Sequence, residues 1–107
     1  MPWLPGRLGT GYDKFRLFEI SWPIRADAYL IRYNDGSYAP PHKDPVKDGR
    51  HYRVNIVLRH PERGGEFRCP EAFINWPRLK FFRSDRHVHS VTVVYGVRLV
   101  LSIGWVR

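Results

Sequence analysis

A single cysteine, Cys69, leaves this 107-residue chain without a disulfide framework, as suits a reducing compartment. The opening residues, MPWLPGRLG, hold no apolar run of the kind a signal peptide needs. No stretch approaches the roughly 20 consecutive apolar residues of a membrane-spanning helix. The expectation is a soluble, cytoplasmic protein with no membrane partner. Runs of basic residues are also missing, although 18 Lys and Arg against 10 Asp and Glu give a net charge of +8. The arginines are scattered through strand-like segments, so a nucleic-acid partner has charge behind it but no motif. There is no internal repeat, low-complexity tract, linker or sustained helical period. One domain covering residues 1–107 is expected.

What is present points to short strands and many turns. Nine glycines and nine prolines punctuate a chain with 15% aromatic residues. Residues 1–27 read as an irregular segment, with a short strand or helix at Phe15–Ile20. The β core, residues 28–107, contains AYLIRY (28–33), YRVNIVL (52–58), GEFRC (65–69), RLKFF (78–82), HSVTVV (89–94) and VRLVLSIGWV (97–106). Tyr95-Gly96 reads as a tight hairpin between the last two. This pattern predicts a mainly β fold, a sandwich, jelly roll or small barrel, with little helical support.

Candidate chemistry begins at His42 and Asp44, two positions apart behind Pro40-Pro41. At a strand end, positions i and i+2 share a face, so both side chains can reach one point. Two imidazoles and one carboxylate on one side of a divalent ion leave its other positions open, the arrangement used for non-haem Fe(II). His89, which opens the regular HSVTVV run, is the preferred third ligand. His87, on the same face and nearer the Asp85-Arg86 turn, is its competitor. By alternation Arg98, Val100 and Ser102 share one face of the last strand, and Val97, Leu99, Leu101 and Ile103 the other. Arg98 follows His89 across the expected hairpin, so both can line one cavity. A guanidinium there is a fork for a carboxylate.

In this order, His42-Lys43-Asp44, Gly64-Gly65-Glu66-Phe67, Leu79 to Arg86 (LKFFRSDR), His89-Ser90-Val91 and Arg98, the chain resembles the Fe(II)/2-oxoglutarate-dependent oxygenases, in particular their prolyl-hydroxylase-like branch. The match runs from Tyr29 to Trp105, about three quarters of the chain. The resemblance implies a double-stranded β-helix, or distorted jelly roll. It implies that His42, Asp44 and His89 hold Fe(II) and that Arg98 pairs with the far carboxylate of 2-oxoglutarate. Tyr33 falls where the family often has a tyrosine bonded to that cosubstrate. The implied activity is a dioxygenase that consumes O2 and 2-oxoglutarate, releases succinate and carbon dioxide, and hydroxylates a C–H bond.

The chain also departs from the family. A second cosubstrate tyrosine is replaced near Val57, and Asn55 either supplies a hydrogen bond there or is a buried amide satisfied by its surroundings. Supporting N-terminal helices are missing or reduced to residues 1–27. The expected substrate is a peptide or a small molecule, with Tyr38, Arg53, Arg68, Trp76 and Arg83 as rim candidates and GRLGTGYDKF (6–15) as a candidate lid. Two other classes compete: a cupin-like metalloprotein that does not use 2-oxoglutarate, and a basic β module that binds nucleic acid. The oligomeric state is not legible.

Overall fold

The computed structural model describes residues 3–6, 9–44 and 49–107. Twelve strands follow one another: β1 (Leu4–Pro5), β2 (Tyr12–Ile20), β3 (Ala26–Tyr33), β4 (Ala39–His42), β5 (His51–Arg59), β6 (Arg63–Gly64), β7 (Phe67–Arg68), β8 (Ile74–Asn75), β9 (Leu79–Arg83), β10 (His89–Val91), β11 (Val94–Tyr95) and β12 (Arg98–Val106). There is no helix among the described residues. Seven strands form a sheet in the order β1-β2-β3-β12-β5-β9-β8, and smaller sheets run β4-β10-β7 and β11-β6. All pairings are antiparallel. This is a jelly roll, one of the folds expected from the strand pattern and the one that the family resemblance implies.

The core lies between the large sheet and the small ones. Tyr12, Ile31, Tyr33, Val57, Phe82 and Val100 come from the large sheet, and Ala39, Phe67, Cys69, Val91 and Val94 from the opposite side. The rings of Phe67 and Phe82 meet 4.9 Å apart across this interior. Complete burial of Phe82, only 1% exposed, contributes on the order of 2–3 kcal/mol. On the outer face of the large sheet, Tyr52, Phe73, Phe81 and Trp105 form a second aromatic cluster.

Two expectations are corrected. The segment 1–27 is not irregular throughout: β2 is a nine-residue strand hydrogen-bonded along β3. Its alternation is hidden in the sequence by a bulge between Arg16 and Phe18, which swaps the faces on either side. Of the lid candidate, Arg7 and Leu8 lie outside the described residues. From Tyr12 onward the segment is sheet, with Tyr12 buried and stacked on Tyr33. Nor is Tyr95-Gly96 a hairpin between neighbouring strands. β11 pairs with β6, whereas β12 crosses into the large sheet between β3 and β5.

Pro40 and Pro41 lie in β4, an edge strand of its sheet, where a missing N–H costs least. Gly64 and Gly65 both have positive φ, 67° and 64°. A side chain on Gly64 would run into the Val93 carbonyl, and one on Gly65 would approach the Arg98 stem within 3.2 Å. The Gly-Gly pair thus lets β6 close on β11 and leaves room for Arg98 behind it.

Candidate metal centre

β4 and β10 lie side by side, and their register sets His42 directly opposite His89. The imidazole centroids are 4.2 Å apart. Asp44, just beyond the end of β4, brings its Oδ1 to 3.5 Å from His42 Nε2 and 3.9 Å from His89 Nε2. Ligand atoms of the three residues all lie within 4.8 Å of one another, close enough to hold one metal ion.

Each ring is held by the same local device. Nδ1 of His42 donates to the Pro40 carbonyl at 2.7 Å, and Nδ1 of His89 donates to the His87 carbonyl at 2.9 Å. A carbonyl can only accept, so these bonds put the proton of each neutral ring on Nδ1 and leave a lone pair on Nε2. Such ties are the usual outer support of a metal-bound imidazole. Burial lowers the pKa of His89 below its ordinary 6.5, against the raising influence of the His87 carbonyl and Asp44. Its Nε2 lone pair therefore persists to lower pH than that of a free imidazole. Burial raises the carboxyl of Asp44, but in the metal-free chain a bond from His42 in its protonated form and the charges of protonated His89 and His42 and of Arg53 outweigh this and bring it down to about 2. With both rings in their neutral form the cluster offers two imidazole nitrogens and one carboxylate, the chemistry that suits a divalent first-row metal.

The turn between β9 and β10 organises two of the three candidate ligands. Asp44 N–H donates to the Ser84 carbonyl at 2.8 Å, and the His87 carbonyl that orients His89 belongs to the same turn. The turn is itself clamped by Arg83, which donates to both carboxylate oxygens of Asp85 at 3.2 and 2.7 Å. His87 lies outside the cluster: its Nδ1 accepts from Arg83 N–H at 3.1 Å, and its ring lies edge-on to Phe73. The histidine that the fold groups with His42 and Asp44 is His89.

A cavity of about 90 Å³ is lined by the three ligand residues with Tyr12, Tyr33, Asn55 and Arg53, among others. On its wall Arg53 donates to Asp27 Oδ1 at 2.7 Å and Ser102 Oγ at 2.8 Å, and Ser102 Oγ donates to Asn55 Oδ1 at 2.6 Å. Gly104 makes this possible, because any Cβ there would press on the Arg53 guanidinium. Asn55 therefore lines the metal cavity, with its carbonyl oxygen taken by Ser102. Arg53, expected at the rim, is an inward-facing member of the network. Sequence reasoning missed Tyr12, Asp27 and Ser102 as its neighbours; the signal available was the alternation that sets Ser102 on the same face as Arg98.

Arg98 is inside the fold, 3% exposed. Its guanidinium lies 4.9 Å from the Tyr33 ring centroid and bonds to the Tyr33 phenol oxygen. Burial pushes the Tyr33 hydroxyl up to about 12, against the opposing charge of Arg98, so it remains a donor at neutral pH. One expectation needs correction. Arg98 does not line the metal cavity but an adjoining one of about 510 Å³, and Phe67 lines both. The polar face of β12 points inward and the stripe Leu99, Leu101, Ile103 is only half-buried. Of the other rim candidates, Arg83 is spent on Asp85 and Arg68 on Glu66. Tyr38 and Trp76 are exposed.

No family model and no curated protein matches the sequence. Solved structures do match the fold. KdgF from Halomonas sp. aligns with a TM-score of 0.66 at 15% identity, covering 100% of this chain and 87% of that one. A prolyl-4-hydroxylase from Pseudomonas putida aligns with a TM-score of 0.61 at 23% identity, covering 78% of this chain and 51% of that one. The viral collagen prolyl hydroxylase of Paramecium bursaria Chlorella virus-1, solved as a 2OG complex, gives 0.58 at 21% identity, covering 80% and 61%. The chain thus spans between half and two thirds of the length of these hydroxylases. The fold is that of the cupin-like jelly rolls, a group whose members here include enzymes, and it carries a His-Asp-His cluster able to bind a metal.

Proposed function

We propose that the chain is an Fe(II)/2-oxoglutarate-dependent dioxygenase that hydroxylates a C–H bond of a peptide or small molecule. His42, Asp44 and His89 would hold the iron. Arg98 would take the far carboxylate of 2-oxoglutarate, with Tyr33 beside it. When bound, iron and 2-oxoglutarate together supply oxidation of the substrate by O2, with succinate and carbon dioxide as co-products. The protein's part is positional. The carbonyl ties aim both Nε2 lone pairs, and Asp44 supplies the negative charge that offsets the cation. Tyr33 holds a proton at its phenol, ready to donate, and the Arg53 network keeps the cavity wall polar and fixed.

The observation that carries this reading is Arg98. The guanidinium is 3% exposed and lies on a tyrosine ring, and burying a charge costs energy unless an anion answers it. A metal-binding cupin that does not use a keto-dicarboxylate has no use for it. That second reading is favoured by the near full-length overlap with KdgF and by the placement of Arg98 outside the metal cavity.

Thermal unfolding separates the two. Ligands that bind only the native state raise its stability by mass action. With Mn(II) as an oxygen-stable substitute for iron, 2-oxoglutarate should raise the midpoint only when the metal is present. Arg98→Ala should weaken 2-oxoglutarate binding by roughly 2–4 kcal/mol. If 2-oxoglutarate has no effect on the Mn(II)-loaded chain and Arg98→Ala is silent, the cupin reading replaces this one. Succinate release on a peptide library then addresses the substrate.

A further inference from the structure

β1 covers only the first part of β2. It pairs with Asp13 and Lys14, and the Trp3 ring packs against Phe15 at 5.5 Å. Residues 16–20 of β2 are all exposed. Among the described residues no strand lies against their outer edge. An open edge of this kind is a template for another strand. A bulge and charged side chains normally blunt such an edge, and β2 has both. Their placement gives them a different effect. The register with β3 sets Phe15, Phe18 and Ile20 opposite Leu30, Ala28 and Ala26, alternate residues that share one face. Arg16 and Glu19 lie opposite Tyr29 and Asp27 on the other face, where their side chains meet at 3.3 Å. Leu17 is the extra residue of the bulge.

The run Phe15-Arg16-Leu17-Phe18-Glu19-Ile20 is therefore a palindrome of apolar and charged positions, with opposite charges at its mirror points. Laid antiparallel on itself about a two-fold axis between Leu17 and Phe18, it sets Arg16 opposite Glu19, Leu17 opposite Phe18 and Ile20 opposite Phe15, each pair made twice. The faces agree: the two charged residues share one, and Phe15 and Ile20 share the other. Both strands carry the same extra residue, so they pair one to one. The chain as a whole has a charge of +8, but this edge is neutral and does not repel its copy. Trp22 and Ile24, both exposed, extend the apolar surface past the end of the strand. We propose that the outer edge of β2 is a homodimer interface, at which two copies join through residues 15–20 into one continuous antiparallel sheet. The proposal stands apart from the oxygenase reading, since none of these residues belongs to the metal cluster.

Sedimentation velocity on the full chain tests this with charge reversals on two exposed side chains. Arg16→Glu places two pairs of like negative charges across the interface, and Glu19→Arg two pairs of like positive ones. Each variant alone should raise the dimer dissociation constant about 10-fold or more. An equimolar mixture of the two should recover association as a heterodimer, because every cross-strand pair is again opposite in sign. Arg16→Glu combined with Glu19→Arg in one chain should dimerise like the wild type. In each single variant the pair within the chain stays like-charged, so recovery in the mixture comes only from contact between copies. Leu17→Lys, which puts a charge at the apolar centre, should also weaken the dimer and serves where a reversal does not fold. A wild type that stays monomeric at about 0.1 mM overturns the proposal. So does a dimer that none of these substitutions weakens, or one that the mixture fails to restore, since its contact then lies elsewhere.

Discussion

Among single residues, Asp44 carries the most consequence. It is the one anionic donor of the cluster and stands within 3.5 Å of His42 Nε2 and 3.9 Å of His89 Nε2. Its carboxyl, held at about 2, stays charged across any physiological range. Asp44→Ala should reduce Mn(II) affinity by more than the roughly 10- to 100-fold that loss of an outer partner costs. Calorimetric titration with the metal would check this, and wild-type affinity in the variant would remove Asp44 from the ligand set. At this scale much was legible in the sequence. His42, Asp44 and His89 could be chosen because a spacing of two places side chains on one face, and because His89 opens a β-branched run. The inward placement of Arg53 and Lys80 was not legible. Each looks like a surface cation in a strand, and only the inward face of the sheet and its partners, Asp27 for one and Asn75 for the other, reveal the burial.

Among elements, the turn from Ser84 to His87 is the one on which the metal site depends without supplying a ligand. It gives a carbonyl to the Asp44 N–H and another to the His89 ring. Asp85 closes it, bonded by Arg83 and by the His51 N–H at 3.3 Å. Asp85→Ala should lower Mn(II) affinity by roughly 10-fold or more while all three ligands remain. An Asp85→Ala protein that stays folded by circular dichroism and binds Mn(II) as tightly as wild type would contradict this. The sequence signalled a turn at Ser84-Asp85 from its residue types, but not what the turn holds. Those bonds run to β5 and to the end of β4, contacts that no local pattern encodes. The same limit explains the missed topology of β12: a Tyr-Gly pair marks a reversal of direction, not which sheet receives the next strand.

For the whole molecule, acid should be the weak side. The Arg83 bond lowers Asp85 below its ordinary 3.8, and bonds from Asn34 and then Arg32 do the same for Asp13. The folded state therefore binds fewer protons than the unfolded one in this region. The stability these carboxylates contribute is complete above pH 3.8 and is lost as the pH falls through their lower folded values. Urea midpoints should be flat with respect to these groups near neutrality and decline below about pH 4. Replacing Asp13 and Asp85 together by Asn should make that acid limb shallower, leaving the part that Asp44 contributes, and an unaltered limb in the double variant would exclude them as a source.

The ties from each imidazole to the carbonyl two residues before it have one more effect. The His42 ring is aimed by its own strand and the His89 ring by the turn that leads into β10, so the socket is assembled by the fold before any ion arrives. Loading and folding are then separate events, unlike the small zinc modules in which the metal builds the structure. Stripping the chain with a chelator should leave its near-ultraviolet circular dichroism unchanged, and one metal should replace another without refolding.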